Sequence, residues 1–375
     1  MNNAPLVLHV IPTLRRGGAE RLALELCARL PAYGYRTKLA GLFGGGSLWG
    51  EMRDRNIRWI ELASSTHAHR AALLRRLLRV IYADPPRRPA IVHTHLFGGD
   101  VWSIAAKSIH RVGWGAIFDA SSRMKPFFIS TAHNIDRDDT SARRAARRWA
   151  VRRMHRVIAI SKDVGHYAER DLGAAPSRVQ VIPNGIDVDA IPLRRGIAAP
   201  HTPRFFMTGR LEPQKGHAIL FRALADVPPP WTLDIAGTGS LERDLKELAE
   251  RLGISSRIRF LGERDDIPAL LGTADVFLFP SQWEGMGLAL LEAMAAGVPA
   301  LASDLPSIRE YAPASMLVAA HEPSAWTAAI MRVMADPVLA AEVAMERSTA
   351  IRARYTIDRM VRAYAAVYDD ILSNA

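Results

Sequence analysis

Short runs of β-branched and aromatic residues alternate with stretches of helical period from one end of the chain to the other. In the first half, Leu6–Val10, Lys38–Phe43, Ile57–Leu62, Ala90–Thr94, Phe127–Thr131 and Val157–Ile160 read as strands. They are near-continuously apolar, which is the pattern of a parallel sheet covered on both faces. Between them lie segments such as Ala19–Leu30, where Leu22, Leu26 and Leu30 share one helical face. Residues 191–203, rich in Pro, Gly and Arg and without apolar period, read as a linker. The pattern then restarts with Arg204–Thr208, Thr232–Ala236, Arg259–Leu261, Val276–Phe279, Ala300–Ala302 and Met316–Val318. Leu241, Leu245, Leu248 and Leu252 stripe one of the intervening helices, and Gly253 stops it. From Pro323 onward the chain reads as helix. The expectation is an α/β protein of two doubly wound domains, 1–195 and 196–356, with a C-terminal helix at about 357–375 packing back on the first. Ligands of such sheets gather at the carboxyl ends of strands, so the active site is expected in a cleft between the domains.

Composition narrows the partners. The 375 residues carry 49 Lys plus Arg against 38 Asp plus Glu, a net charge of +11. Such an excess favours polyanions: anionic lipid head groups, nucleic acid or phosphorylated small molecules. Cys27 is the only cysteine, which excludes an internal disulfide and a cysteine zinc site and suits a reducing, cytoplasmic setting. The opening MNNAPLVLHVIP lacks a basic n-region and reads as a first strand rather than a signal peptide. The longest weakly polar stretch, Gly287 to Ala302, contains Glu292 and Pro299 and falls short of a membrane span, so none is expected.

The chemistry concentrates between Pro280 and Asp304. A buried strand ends at Pro280, a loop holds Glu284, Gly285 and Gly287, and a helix begins near Gly287. Glycine-opened helix N-termini present free N–H groups and a positive dipole end, which suits a phosphate or diphosphate. Glu284 lies just ahead of that end, within reach of a ligand hydroxyl, and Glu292 lies about a turn and a half into the helix, where a carboxylate can accept ribose hydroxyls. Upstream, the strand Arg204–Thr208 runs into Arg210 and Lys215, two cations suited to a diphosphate. In the first half, Gly17 and Gly18 of RRGGAER open another helix.

These motifs resemble the retaining GT-B glycosyltransferases of family 4 (group 1). GGAER, the strand end His93–His95, TAHN at Thr131–Asn134, ISKDV at Ile160–Val164, VIPNGID at Val181–Asp187, TGRLEPQKG at Thr208–Gly216, AGTGSLE at Ala236–Glu242 and the Glu284–Glu292 element occur in that family's order. The resemblance implies a GT-B fold of two Rossmann-like domains and a UDP- or GDP-linked sugar donor as substrate, with no cofactor and no metal. Arg210 and Lys215 would hold the donor diphosphate, Glu292 the ribose and Glu284 the sugar hydroxyls. Gly285, Met286, Gly287 and Leu288 would offer amides, with Met286 standing where many members have Phe. The base would lie near Gly262 to Arg264. Gly17 and Gly18 would close on the phosphate, and His133 would sit by the anomeric carbon. His93 and His95 are read as structural or acceptor-side, and Asp187-Val188-Asp189, a DxD string able to ligate Mn²⁺ elsewhere, as structural.

Arginines crowd the first domain at Arg75, Arg76 and Arg79, at Arg87 and Arg88, and from Arg143 to Arg156. On a helix Ser141–Met154, Arg144, Arg148 and Arg152 recur every four residues beside Trp149, and Trp114, Ile117 and Phe118 add apolar bulk. That face suits an anionic membrane, so a peripheral enzyme at the inner face of the cytoplasmic membrane, acting on a lipid-linked or polysaccharide acceptor, is expected. Alternatives are a sugar-nucleotide epimerase of the same fold or transfer to a soluble small acceptor. A nucleic-acid partner is not expected, because no helix-turn-helix, finger or RNP pattern accompanies the charge. Gly237-Thr238-Gly239 lacks the third glycine of a dinucleotide fingerprint.

Overall fold

The computed structural model describes residues 4–15, 17–44, 46, 48–63, 70–83, 87–111, 125–136, 140–194 and 202–374. Two compact units emerge, one of residues 1–184 with 357–375 and one of residues 185–356.

Unit 1 runs β1 (Leu6–Ile11), α1 (Gly18–Arg29), β2 (Arg36–Gly41), α2 (Trp49–Asp54), β3 (Trp59–Glu61), α3 (Arg70–Ile81), β4 (Ile91–His95), α4 (Leu96–Arg111), β5 (Phe127–Ala132), α5 (Ser141–Val151), β6 (Arg156–Ala159), α6 (Lys162–Arg170) and β7 (Val179–Val181). Unit 2 runs β8 (Arg204–Thr208), α7 (His217–Ala225), β9 (Thr232–Ala236), α8 (Glu242–Arg251), β10 (Ile258–Gly262), α9 (Ile267–Thr273), β11 (Val276–Phe279), α10 (Leu288–Ala295), β12 (Ala300–Ser303), α11 (Pro306–Arg309), β13 (Leu317–Val318), α12 (Pro323–Ala335) and α13 (Pro337–Arg354). The last helix, α14 (Ile357–Ser373), belongs to unit 1.

Both sheets are parallel, ordered β3-β2-β1-β4-β5-β6-β7 and β10-β9-β8-β11-β12-β13. In each, the first strand of the unit sits beside its fourth, so the winding reverses there and the following loops splay apart. The switch points are therefore the carboxyl ends of β1 and β4 in unit 1 and of β8 and β11 in unit 2.

Parallel neighbours in register share a face, as do residues two apart on one strand. Val7 pairs with Ile91, His9 with His93 and His95 with Thr131, so these residues and Ile129 line one face of the first sheet. Leu22 and Leu26 of α1 and Met360, Tyr364 and Tyr368 of α14 cover it. Leu8, Val10, Val92 and Phe128 line the other face, over α3, α5 and α6. Unit 2 buries Phe205, Leu233, Ile235 and Leu278 against α7, α8 and α12, with Trp231 and Trp326 fully enclosed.

The boundary falls between Asn184 and Gly185, not at 195/196. Side-chain ties pull the presumed linker into unit 2. Arg352 donates to the carbonyls of Val188 and Ile191 at 2.7 and 2.9 Å, and Arg194 reaches Asp275 at 2.6 Å. Strand β7 has no counterpart in the sequence reading. It is a three-residue edge strand whose Gln180 and Val181 are exposed, too short and too open to show as an apolar run.

Candidate active site

The loop after β11 is built by side chains that the motif reading did not single out. Glu284 is only 8% exposed, and its carboxylate takes hydrogen bonds from the Lys215 ammonium and, at 3.0 Å, from the Ser281 hydroxyl. Ser307 donates to the Glu284 carbonyl at 2.8 Å, and Gln214 donates to the Trp283 carbonyl at 2.9 Å. Tyr311 donates to the Met286 carbonyl at 2.6 Å; burial first, and then the charge on Glu284, hold that phenol protonated far above its usual range. The loops after β8 and β11 are thus bolted together. Ser281 lies within the quoted motif, but nothing in spacing alone reveals that Ser307 and Tyr311, on the far side of β12, brace it.

Backbone conformation fixes the same junction. Gly216 sits at φ +68°, and a Cβ there would fall on the Pro280 carbonyl oxygen, so only glycine lets the Lys215 turn lie against the end of β11. Gly287 caps α10 at φ +77°, where a Cβ would stand 3.0 Å from Ile308 Cδ1 and from the Tyr311 hydroxyl. Gly285, Met286 and Gly287 are buried, while Leu288 and Glu292 are half-buried on the first turns of α10. The helix lacks a side-chain cap, so its leading N–H groups face the loop without one.

The remaining unit 2 candidates fall around this core. Arg210 leaves β8 exposed, its positive charge holding Glu212 below the usual carboxylate range after two hydrogen bonds from Ser240. Gly262 ends β10 with open space where a Cβ would go. Arg264 is engaged: it makes a two-pronged contact with Asp266 at 2.8 and 2.6 Å. Lys215, expected with Arg210 to hold the donor diphosphate, is likewise paired with Glu284. Asp187 is exposed and accepts from the Ala190 amide at 3.4 Å, a local turn contact.

In unit 1, Gly17 caps α1 and Gly18 opens it, just past the end of β1. His133 follows β5 and is 9% exposed. Its Nε2 bonds His95 Nδ1 at 3.1 Å, and His95 Nε2 bonds His9 Nδ1 at 3.1 Å. His93 stands beside them, bonded to the Tyr368 hydroxyl at 2.6 Å and the Thr131 hydroxyl at 2.7 Å. Burial holds all four rings neutral: His9 and His133 are pushed down to about 3, the latter helped by Arg147, and His93 and His95 fall well below the usual imidazole range. Leu96, next after His95, is held at φ +62°, a costly conformation for leucine of the kind that gathers at functional sites. Among the described residues, His9, His93 and His95 form the one group compact enough to share a metal ion. Their bonds to one another, to His133 and to hydroxyls already occupy every ring nitrogen but His9 Nε2.

Helix α5 departs from the expected basic face at one position. Arg147 is 1% exposed and lies inside, paired with Asp136 and 4.0 Å from Asp100, while Arg144, Arg148 and Arg152 are exposed. Asp100 in turn takes hydrogen bonds from Thr94 and Ser130 at 2.5 and 2.7 Å, and burial raises its carboxyl against the pull of Arg147. Trp149 packs partly into the core beneath the Arg153 guanidinium, 5.1 Å from its ring centre. Trp114, Ile117 and Phe118 lie outside the described residues. Among the described residues no helix is long and apolar enough to cross a membrane.

Comparison with known proteins supplies the family. A model of Glycosyltransferase Family 4 matches residues 16–190, and a model of Glycosyl transferases group 1 matches residues 193–352. The lipopolysaccharide core biosynthesis mannosyltransferase LpcC of Rhizobium leguminosarum bv. viciae is 32% identical over 245 residues, 60% of this chain and 68% of that protein. The UDP-Gal:alpha-D-GlcNAc-diphosphoundecaprenol alpha-1,3-galactosyltransferase of Escherichia coli is 30% identical over 201 residues, 48% of this chain and 52% of that one. Among solved structures, Anabaena Alr3699/HepE in complex with UDP and glucose has a TM-score of 0.83 at 20% identity, covering 98% of this chain and 100% of that one. WaaG, a glycosyltransferase involved in lipopolysaccharide biosynthesis, has a TM-score of 0.74 at 16% identity, covering 96% and 99%. With a family model on each half and a relative 32% identical over 68% of its own length, the chain belongs to the family 4, group 1 glycosyltransferases and has the GT-B fold.

Proposed function

We propose that this glycosyltransferase is retaining and metal-independent, moving a hexose from a UDP- or GDP-linked donor to a hydroxyl of a lipid-linked or polysaccharide acceptor in cell-surface glycan synthesis. One observation carries the reading: Lys215 and Glu284 are locked together at the β8/β11 switch point, beside the glycine-opened N-terminus of α10. A cation, a carboxylate and a helix N-terminus at one switch point match the parts of a nucleotide sugar, which are anion, hydroxyls and anion again. The names of the relatives, a lipopolysaccharide mannosyltransferase and a galactosyltransferase on a diphosphoundecaprenol sugar, support the acceptor class.

In this reading the diphosphate lies against Arg210, Lys215 and the amides of Gly285 to Leu288, sharing Lys215 with Glu284. Glu284 takes sugar hydroxyls, Glu292 the ribose, and the base lies over the open space at Gly262, near Arg264. Gly17 and Gly18 approach the phosphates, and His133 orients the sugar near its anomeric carbon. The bond from that carbon to the diphosphate oxygen breaks, with its electron pair going to the leaving oxygen. The acceptor oxygen attacks the same face, and the leaving oxygen takes the acceptor's proton. Charge grows on the diphosphate and positive character on the sugar ring, so fixed cations and amides stabilise the transition state more than the ground state. The work is done at the inner face of the cytoplasmic membrane.

Three measurements test this. Arg210→Ala lowers turnover by roughly 10²–10³-fold, the effect of one lost oxyanion donor; near-full activity sinks the assignment. Product NMR shows the donor's anomeric configuration kept; inversion refutes the mechanism. EDTA leaves the rate unchanged; loss with recovery on Mn²⁺ refutes metal independence.

A further inference from the structure

The mechanism above uses His133 and leaves His9 and His95 idle, although both are fully enclosed in the core of unit 1. They are joined to His133 in a row, and the atoms that join them follow a rule. His9 uses Nδ1 toward His95 Nε2, and His95 uses Nδ1 toward His133 Nε2, each link at 3.1 Å. The rings of His9 and His95 stack at 5.4 Å with a 21° tilt, and His95 and His133 lie 5.4 Å apart, so the row is held by packing as well as by bonds.

A neutral imidazole carries one proton, on one of its two nitrogens, and a link between two rings needs one donor and one bare acceptor. Suppose His9 carries its proton on Nδ1. It then donates to His95 Nε2, which must be bare; His95 then carries its proton on Nδ1 and donates to His133 Nε2. His133 must carry its own on Nδ1. The opposite choice at His9 puts the proton on Nε2 in all three. Any mixed state faces two protons or two lone pairs across 3.1 Å in a buried setting, where a broken bond costs its full desolvation.

We propose that His9, His95 and His133 form a tautomeric chain in which all three rings share one tautomer, making His9 and His95 positioning residues that fix whether His133 offers a donor or an acceptor at Nδ1. The two ends of the row support a functional use. His133 Nδ1 and His9 Nε2 are buried and have no hydrogen-bond partner, so the chain terminates in one open valence at each end. His93 is outside the chain, because both of its nitrogens are engaged by the hydroxyls of Tyr368 and Thr131. Neutrality is what keeps the rule in force, and burial supplies it for each ring, with the Arg147 guanidinium adding to it at His133. The charged group that acts on the row is Arg147, at His133, and this arginine is paired with Asp136 and lies 4.0 Å from Asp100. The orientation of a donor-sugar hydroxyl at His133 is then decided two residues away. This consequence rests on the proposed role of His133 beside the donor sugar, whereas the shared tautomer does not.

The test is two-bond ¹H–¹⁵N spectroscopy on the full chain labelled at histidine, with signals assigned by single-histidine variants. The result expected is one tautomer for His9, His95 and His133, all Nδ1–H or all Nε2–H, without ligand and at neutral pH. A mixed pattern in the wild-type chain overturns the proposal, and this readout needs no activity. His9→Phe removes the outer link and keeps a ring in place. It should let His95 and His133 populate both tautomers and lower kcat/KM by a few-fold to about tenfold, the value of one buried hydrogen bond, while His9→Asn, which restores a polar group near Nδ1, recovers part of the loss. Unchanged tautomers and unchanged kcat/KM in a folded His9→Phe chain also overturn it. Full activity in His133→Ala alongside a uniform tautomer pattern would remove the catalytic reading and leave the chain standing.

Discussion

Replacing Lys215 by methionine separates what the Lys215–Glu284 pair does for the fold from what it does for the reaction. The two side chains are 17% and 9% exposed, so removing the ammonium leaves a carboxylate out of water with, among the described residues, the Ser281 hydroxyl to satisfy it. Breaking a buried pair from one side costs about 3–5 kcal/mol, because the surviving charge is uncompensated. Unit 2 spans residues 185–356, a size at which each kcal/mol moves the melting temperature by about 2–4 °C. Lys215→Met should therefore lower the unfolding transition of that unit by about 6–20 °C. Adding Glu284→Gln removes the stranded charge, keeps the oxygen that Ser281 needs, and should restore most of the lost stability. Activity follows a different course: both the single and the double variant lose diphosphate binding and turn over orders of magnitude more slowly, near the roughly 10²–10³-fold loss for one electrostatic donor. Calorimetry of the full chain, read beside steady-state kinetics, gives both quantities. A single variant as stable as wild type, or a double variant destabilised by the sum of both single effects, would refute the buried-pair reasoning.

Other expectations are sharp enough to fail. His9 and His133 stay neutral in the folded chain down to about pH 3, whereas unfolded histidine takes a proton near pH 6.5. The unfolded state therefore binds more protons below that value, and stability is intact above pH 6.5 and lost as pH falls toward 3, by about 1.4 kcal/mol per pH unit for each ring; urea titrations from pH 7 to 5 that give a flat profile would contradict the burial of these rings. Gly216→Ala and Gly253→Ala share the same left-handed backbone, at φ +68° and +69°, but only the first drives a Cβ into the Pro280 carbonyl. Gly253→Ala should cost about 1–2 kcal/mol, and Gly216→Ala more, with loss of donor binding; equal costs would mean that the Lys215 turn does not rest on the end of β11. Changing Arg144, Arg148 and Arg152 together to Ser should weaken sedimentation with anionic vesicles, each cation being worth about 1 kcal/mol near such a surface, and should leave binding to neutral vesicles unchanged.

Most strands could be read from the sequence because both sheets are parallel and doubly covered, so each strand is a compact apolar run. Arg204–Thr208, Thr232–Ala236 and Val276–Phe279 coincide with β8, β9 and β11 to the residue. The edge strand Val179–Val181 escaped because an edge needs no apolar run, and the boundary at Gly185 escaped because Arg194 and Arg352 act through long side chains that leave no periodic trace. Motif order singled out Lys215, Glu284 and Gly287 as candidates, and the fold brings Lys215 onto Glu284 just ahead of Gly287. It gave no hint that Lys215 and Glu284 bind each other, since they lie on loops after different strands. His93 and His95 of β4 and His133 after β5 were visible one by one, whereas His9 of β1 carried no signal. Their connection became apparent only with the sheet register, which sets His9 beside His93 and His95 beside Thr131. Arg147 shows the limit of charge patterning. Its neighbours at four-residue spacing face solvent, while this one arginine turns inward to Asp136.

Because α14 is threaded onto the first sheet after the whole of unit 2 has been made, the order of synthesis matters. A nascent chain emerging from the ribosome has all seven strands of that sheet available long before Met360, Tyr364 and Tyr368 arrive to cover Val7, Ile91, Ile129 and the histidines. Helix α1 covers part of this face early, but the part under α14 stays open until that helix leaves the exit tunnel. A chaperone holding that face during translation, or early docking of the nascent sheet on another surface, would bridge the interval. Premature termination before Ile357 would leave a sheet that aggregates rather than a smaller working enzyme.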